Sequence, residues 1–295
     1  MSIEILAKKI LTRSNHPDSW FDIKYNLNIY RGCELACAWC DSRSNRYGLD
    51  NFDNVQVKVN TVELLQRELA SKRNKGVIGI GSFSDPYTFA EKDYKLTRAS
   101  LQTISQFRFP VHIKTKNDLI LRDLDVIKEI SRVHSSVAFT ITTTDDELAS
   151  RIEPGASSIS RRLEAIKKLA SEGVYVGILL FPIFPFILDN KENIVNVVRA
   201  AADNGAHYII PWFGMTLRDT QRDYFYSSID KVFPDIKSKY EKTFGNSYYC
   251  KSSNAGELEQ IFKEECSKHN IITSMKEMKK YRQVADFEQL SLFEN

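Results

Sequence analysis

Apolar residues recur along this chain in two alternating rhythms. Short runs rich in β-branched and aromatic residues span Tyr25 to Tyr30, Gly76 to Gly81, Val111 to Thr115, Val137 to Thr142, Val174 to Phe181 and Tyr208 to Trp212, and each predicts a strand. The longer stretches between them carry apolar stripes at helical spacing. Leu64, Leu65 and Leu69 form one in Thr61 to Lys72, Leu163, Ile166, Leu169 and Ala170 another in Arg161 to Ser171, and Ile194, Val197, Val198 and Ala201 a third in Asn193 to Asp203. Strands separated by helices at this pitch predict an α/β protein with a parallel sheet, because a parallel pair needs a crossover long enough to return the chain. Six units are too few to close a full eight-unit barrel, so the expected architecture is a partial (β/α)6 TIM-like barrel.

Near Thr216 the strand rhythm stops. Tyr224, Phe225, Tyr226, Phe233 and Tyr240 lie in helix-like sequence ahead of a polar loop at Gly245 to Gly256, so the expected division is a barrel at residues 1–216 and a C-terminal helical cap at 217–295. Pro182 and Pro185 break the end of the fifth strand and predict a structured loop over the barrel mouth, since proline offers no N–H to a ladder. At 42% hydrophobic and 27% charged, the 295 residues have an ordinary globular composition. No run approaches the roughly 18 apolar residues of a membrane span, and Met1-Ser-Ile-Glu lacks a signal-peptide arrangement, so a cytoplasmic protein is expected. A net charge of +3, from 41 basic and 38 acidic residues, does not announce a nucleic-acid partner.

The cysteines change the picture. Three of the five stand in one tight run, Cys33-Glu-Leu-Ala-Cys37-Ala-Trp-Cys40, which fits metal ligation in a reducing compartment better than a disulfide framework. The run is expected to be a loop that wraps its ligand. It follows the first strand, and barrels of this kind put their active sites at the carboxyl ends of strands. A structural zinc usually draws four protein ligands, often in C-x2-C pairs, and no fourth Cys or His accompanies this run. Three thiolates favour a 4Fe-4S cluster with one iron open to an external ligand, with zinc the lesser alternative.

Tyr30-Arg-Gly-Cys33-x3-Cys37-x-Trp39-Cys40 resembles the signature of the radical S-adenosylmethionine enzymes. Gly81-Ser-Phe-Ser-Asp-Pro-Tyr87, Lys114-Thr-Lys116, Phe139-Thr-Ile-Thr142, Glu153-Pro-Gly-Ala-Ser-Ser158, Arg162-Leu-Glu-Ala and Phe181-Pro-Ile183 then follow in the order seen in the spore photoproduct lyase-like group, also labelled DNA repair photolyase-like. The likeness covers about Asn26 to Pro185. It implies a 4Fe-4S cluster that cleaves S-adenosylmethionine to a 5'-deoxyadenosyl radical, which abstracts a substrate hydrogen. It also implies a reductant such as flavodoxin or ferredoxin, and a nucleic-acid substrate.

By the same resemblance Trp39 covers the adenine, Lys116 pairs with the cofactor carboxylate, and Phe181 lies beside adenine through its backbone. Ser84 and Asp85, just past the second strand, are placed to bind the methionyl amino group or ribose, and a plain Asp-Pro turn is the bland reading of the same residues. Thr140 and Thr142 alternate on the fourth strand and so share a face, where their hydroxyls suit a ribose. Arg162 reads equally as a member of the series and as a helix surface charge. Where spore photoproduct lyase has a hydrogen-donating cysteine this chain has Ser82, whose O–H bond is too strong for that work. Cys250, flanked by polar loop residues, is then the candidate donor, ahead of Cys266, if the cap folds over the barrel, and a buried structural cysteine is the favoured reading of each.

Two function classes therefore compete. One is a radical S-adenosylmethionine enzyme of the spore photoproduct lyase-like group acting on an unidentified substrate, with spore photoproduct lyase activity itself put in doubt by Ser82. The other is a non-catalytic iron-sulfur or zinc protein with a structural or redox-sensing role. An ordinary hydrolase is disfavoured, because the chain has no Ser-His-Asp constellation, no H-E-x-x-H and no P-loop.

Overall fold

The computed structural model describes residues 2–14, 21–274 and 277–278. β1 (Ile3–Ile5), β2 (Leu11–Arg13), β3 (Ile23–Leu27), β4 (Tyr30–Arg31) and β5 (Gln56–Lys58) precede the regular alternation. That alternation runs α1 (Thr61–Ala70), β6 (Val77–Ile80), α2 (Glu91–Tyr94), α3 (Leu96–Gln106), β7 (Val111–Thr115), α4 (Leu124–Ser131), β8 (Ser135–Thr140), α5 (Asp146–Ile152), α6 (Ile159–Ser171), β9 (Tyr175–Leu180), α7 (Lys191–Asp203) and β10 (Tyr208–Pro211). Six strands pair in parallel in the order β3-β6-β7-β8-β9-β10, and β2 adds antiparallel to the outer edge of β3. The expected partial barrel of six β/α units is the fold.

β6, β8 and β9 are buried along their whole length, as parallel strands become when helices cover one face and the barrel interior the other. β8 starts two residues before its predicted start. Ser135 and Ser136 read as loop because they are polar, yet Ser136 Oγ lies 2.7 Å from His112 Nδ1 and Ser135 Oγ 2.5 Å from Ser131 Oγ, which lets both enter the buried strand. Helices α6 and α7 also begin before their apolar stripes do. Ser158 and Asn190 cap them, each accepting a backbone N–H three residues on.

The predicted first strand is two pieces. β3 ends at Leu27 and stays in the barrel, whereas β4 turns away into a small sheet of order β1-β5-β4. This small sheet presents the cysteine run to the barrel mouth.

Beyond the barrel come β11 (Gly214–Thr216), α8 (Asp219–Ile229), α9 (Ile236–Phe244), β12 (Tyr249–Lys251) and α10 (Ala255–Lys268). β11 and β12 pair antiparallel, Met215 opposite Cys250, and so link the two sides of position 216. α10 packs on α7 and buries Leu258, Phe262 and Cys266. Residues 279–295 of the expected cap lie outside the described residues. Among the described residues no helix is long and apolar enough to cross a membrane.

Candidate functional site

A cavity of about 260 Å3 opens at the carboxyl ends of the strands. It gathers residues far apart in the chain: Cys33, Cys37 and Cys40 with Trp39, Ser84 and Asp85 after β6, Lys116 after β7, Thr140 at the end of β8 and Phe181 after β9. The strand register explains the meeting. Thr115 lies beside Phe139 and Thr140 beside Leu179, so the ends of β7, β8 and β9 open at one level.

The cysteine loop is anchored from several sides. Gly32 enters it at φ 95°, where a side chain would be strained, and the Cys33 N–H donates to Phe52 O at 2.8 Å. On the inner side the Ala38 N–H donates to Ile152 O at 2.8 Å and the Gly155 N–H to Leu35 O at 3.0 Å. Gly155 cannot be larger, because a Cβ there would lie 2.6 Å from Glu34 O and 2.7 Å from Leu35 Cα.

Burial pushes the Cys33 thiol up to about 12, with Asp85 adding to the effect. Burial also raises Cys37 and Cys40, against the pull of Lys116 on both. The Lys116 ammonium answers this field. Burial opposes its charge, but Cys37, Asp85 and Glu153 outweigh that and hold it above its ordinary value. Its Nζ lies 4.9 Å from the centre of the Trp39 ring, a cation–π distance.

The other expected residues divide. Ser84 is buried in the cavity wall and its Oγ finds no partner in the protein, an orphaned hydroxyl that a polar ligand would satisfy. Asp85 is already engaged: Oδ1 accepts from the Tyr87 N–H at 3.0 Å and Thr115 Oγ1 at 2.8 Å, and Oδ2 from the Lys116 N–H at 2.7 Å. Thr140 lines the cavity, but Thr142 lies beyond the end of β8, off the cavity wall, with its carbonyl accepting from Asn193 Nδ2. Ser82 lines the mouth. Cys250 and Cys266 do not reach it. Cys250 faces inward from β12 with an exposed neighbour on each side, and Cys266 is buried on α10.

Two residues with no firm expected role prove central. Glu153 and Arg162 form an ion pair at 2.6 Å with side chains 2% and 1% exposed. The other Glu153 oxygen accepts from Trp39 Nε1 at 3.0 Å, while Arg162 donates to Thr140 O at 2.9 Å and Ser157 O at 2.7 Å. Arg162 is therefore no surface charge. Its position was readable: it falls on one stripe with Ala165, Ile166 and Leu169, all buried.

Three thiols around one cavity suit an iron-sulfur group, and the orphaned Ser84 hydroxyl suits a polar ligand beside it. Among the described residues no three His, Cys, Asp or Glu side chains form a single-ion metal site, so the fit rests on donor type and the shared cavity.

Known proteins share this sequence pattern and this fold. The Radical SAM superfamily model matches residues 27–201. An uncharacterized protein of Mycobacterium tuberculosis is 29% identical over 254 residues, covering 83% of this chain and 74% of the relative. An uncharacterized protein of Methanocaldococcus jannaschii is 36% identical over 190 residues, covering 63% and 69%. The structure of spore photoproduct lyase complexed with dinucleoside spore photoproduct superposes with a TM-score of 0.68 at 16% identity, over 91% of this chain and 79% of that one. Membership implies S-adenosylmethionine and an iron-sulfur cluster, and a reductant to drive them. This chain belongs to the radical SAM superfamily: it is a radical SAM enzyme with the fold of spore photoproduct lyase.

Proposed function

We propose that Cys33, Cys37 and Cys40 hold a 4Fe-4S cluster whose open iron takes S-adenosylmethionine. When bound and reduced, the pair supplies a 5'-deoxyadenosyl radical for hydrogen abstraction from the substrate. The chain's own residues bind, orient and shield. Lys116 offers its ammonium to the methionyl carboxylate, and Ser84 offers its unpartnered hydroxyl to the methionyl amino end or ribose. Trp39 and the Phe181 backbone flank the adenine, and Thr140 serves the ribose. Asp85 acts chiefly by holding the backbone at Lys116 and the Thr115 hydroxyl in place.

The observation that carries this reading is the meeting of three thiols, a buried hydroxyl without a partner and a half-buried ammonium in one cavity. For the substrate we favour a nucleic acid. That class is the one suggested by the likeness to spore photoproduct lyase complexed with dinucleoside spore photoproduct. Flavodoxin or ferredoxin is the proposed reductant and the cytoplasm the proposed location.

The test is anaerobic reconstitution with iron and sulfide, then deuterium tracing from labelled oligonucleotides, thymine dimers first, into 5'-deoxyadenosine. Adding S-adenosylmethionine should shift the EPR signal of the reduced cluster. A cluster whose signal ignores S-adenosylmethionine would instead fit the closed, non-catalytic site.

A further inference from the structure

Four consecutive residues at the start of α8, Arg218 to Gln221, each reach the segment that carries the last cysteine. Arg218 sets Nε 3.0 Å from Asp41 Oδ1 and Nη2 2.9 Å from Asp41 Oδ2, a two-pronged pair on the residue that follows Cys40. Asp219 accepts from Ser44 Oγ at 2.8 Å and from the Asn45 N–H at 3.2 Å. Thr220 Oγ1 donates to Arg43 O at 2.9 Å, and Gln221 Nε2 to Trp39 O at 3.3 Å. One turn later Tyr224 stacks under the Arg43 guanidinium at 3.7 Å.

A helix that merely packs on a loop does so with apolar side chains, and α8 sends Phe225 and Ile229 into the core in that way. The turn facing the cysteines adds directed polar bonds from four successive residues. Asp219 even holds φ at 28°, a left-handed value that non-glycine residues avoid unless the surroundings impose it. Arg218 also donates to the Tyr248 hydroxyl next to β12, so the clamp is tied to the second strand of the cap.

We infer that Arg218, Asp219 and Thr220 are positioning residues that clamp the cysteine loop around its metal group, so that the C-terminal segment governs how firmly the group is retained. This rests on the iron-sulfur reading above. Asp41 lines the cavity directly after Cys40, so fixing its carboxylate fixes the loop at the third thiolate.

The experiment follows the visible absorbance of anaerobically reconstituted protein after EDTA is added, without S-adenosylmethionine or substrate. Arg218→Gln/Asp219→Ala should lose its iron roughly tenfold faster than the unmodified chain, from the bonds to charged groups that it removes. Asp219→Asn, which keeps an acceptor, should restore most of the retention. Thr220→Val, a change at an exposed hydroxyl that leaves folding intact, should accelerate loss roughly threefold. Lys237→Ala, on α9 away from the loop, should match the unmodified chain. Equal rates in the clamp variants and the unmodified chain would overturn the clamp, and so would an equal acceleration by Lys237→Ala. Absence of iron from the unmodified chain after reconstitution would overturn the cluster reading itself, before any variant is compared.

Discussion

Replacing Arg162 by Met removes one half of the buried pair that supports Trp39. The cost follows from what remains. Glu153 would keep its carboxylate in a site where the side chain is 2% exposed, with Trp39 Nε1 as its one remaining donor among the bonds seen here. Loss of a charge-assisted hydrogen bond costs about 1.5–3 kcal/mol, and because the Lys116 ammonium still offsets part of the Glu153 charge, the total stays near the lower end of the about 3–5 kcal/mol that breaking a buried pair costs. The carbonyls of Thr140 and Ser157 lose their donor as well. Replacing both partners, Glu153→Met with Arg162→Met, removes the stranded charge and leaves Trp39 Nε1 unpaired, a cost of about 1–3 kcal/mol. The double variant should thus be more stable than the single. Urea unfolding of the iron-free protein, followed by circular dichroism, measures both. A single variant that loses less than about 1 kcal/mol, or a double variant less stable than it, would refute the argument that the pair is a buried charge compensator.

Three further outcomes follow from the site. Gly155→Ala forces a methyl against Glu34 O and Leu35 Cα, and such overpacking should cost about 1–3 kcal/mol in the same unfolding assay and slow iron loading, because the cysteine loop must shift. Iron loading should rise with pH across the neutral range: the thiols must shed protons to ligate, and burial holds Cys33 up at about 12, so proton release and iron uptake titrated together should show the same slope. Stability of the iron-free fold should move the opposite way at alkaline pH. Burial raises Cys250 from 9.0 to about 11, so the folded chain binds that proton more tightly than the unfolded one, and its contribution is full below pH 9 and lost as pH climbs through 11. Burial raises Tyr208 and Tyr240 in the same sense, and a urea midpoint that rose over this range would contradict the sign.

The parts of this protein legible in its sequence are those set by local spacing. Six β/α units follow from period, whereas Cys33, Cys37 and Cys40 at i, i+4 and i+7 would suit one helix face equally well, and the loop is set by Gly32 and by the backbone bonds to Phe52, Ile152 and Gly155. What escaped was set by remote partners. Alternation places Thr142 on a strand face, but β8 stops at Thr140 and nothing in Phe139-Thr-Ile-Thr142 marks the stop. Tyr249 and Lys251 beside Cys250 are polar or amphipathic, so the sequence around it looks like a loop. In β12 that same alternation, exposed, buried, exposed, is a strand with one inward position, and pairing with β11 across 35 residues decides that the inward position is the thiol.

That placement bears on where the radical ends. Among the described residues the thiols that line the cavity are the three of the loop, while Ser82 stands at the mouth and Cys250 is closed off in the cap. On the proposed chemistry a thiol donor for a product radical must touch the substrate, and the Ser82 hydroxyl cannot replace it because an aliphatic O–H bond is too strong to yield hydrogen to carbon. The sources this leaves are 5'-deoxyadenosine, a tyrosine phenol, solvent with an electron, and Cys250 after the cap moves. Cys250→Ala separates these. If the cap stays where it is, the variant should give the same product partition and the same return of label to S-adenosylmethionine. A changed partition would show that the β11–β12 pair opens during turnover and that the buried thiol takes part.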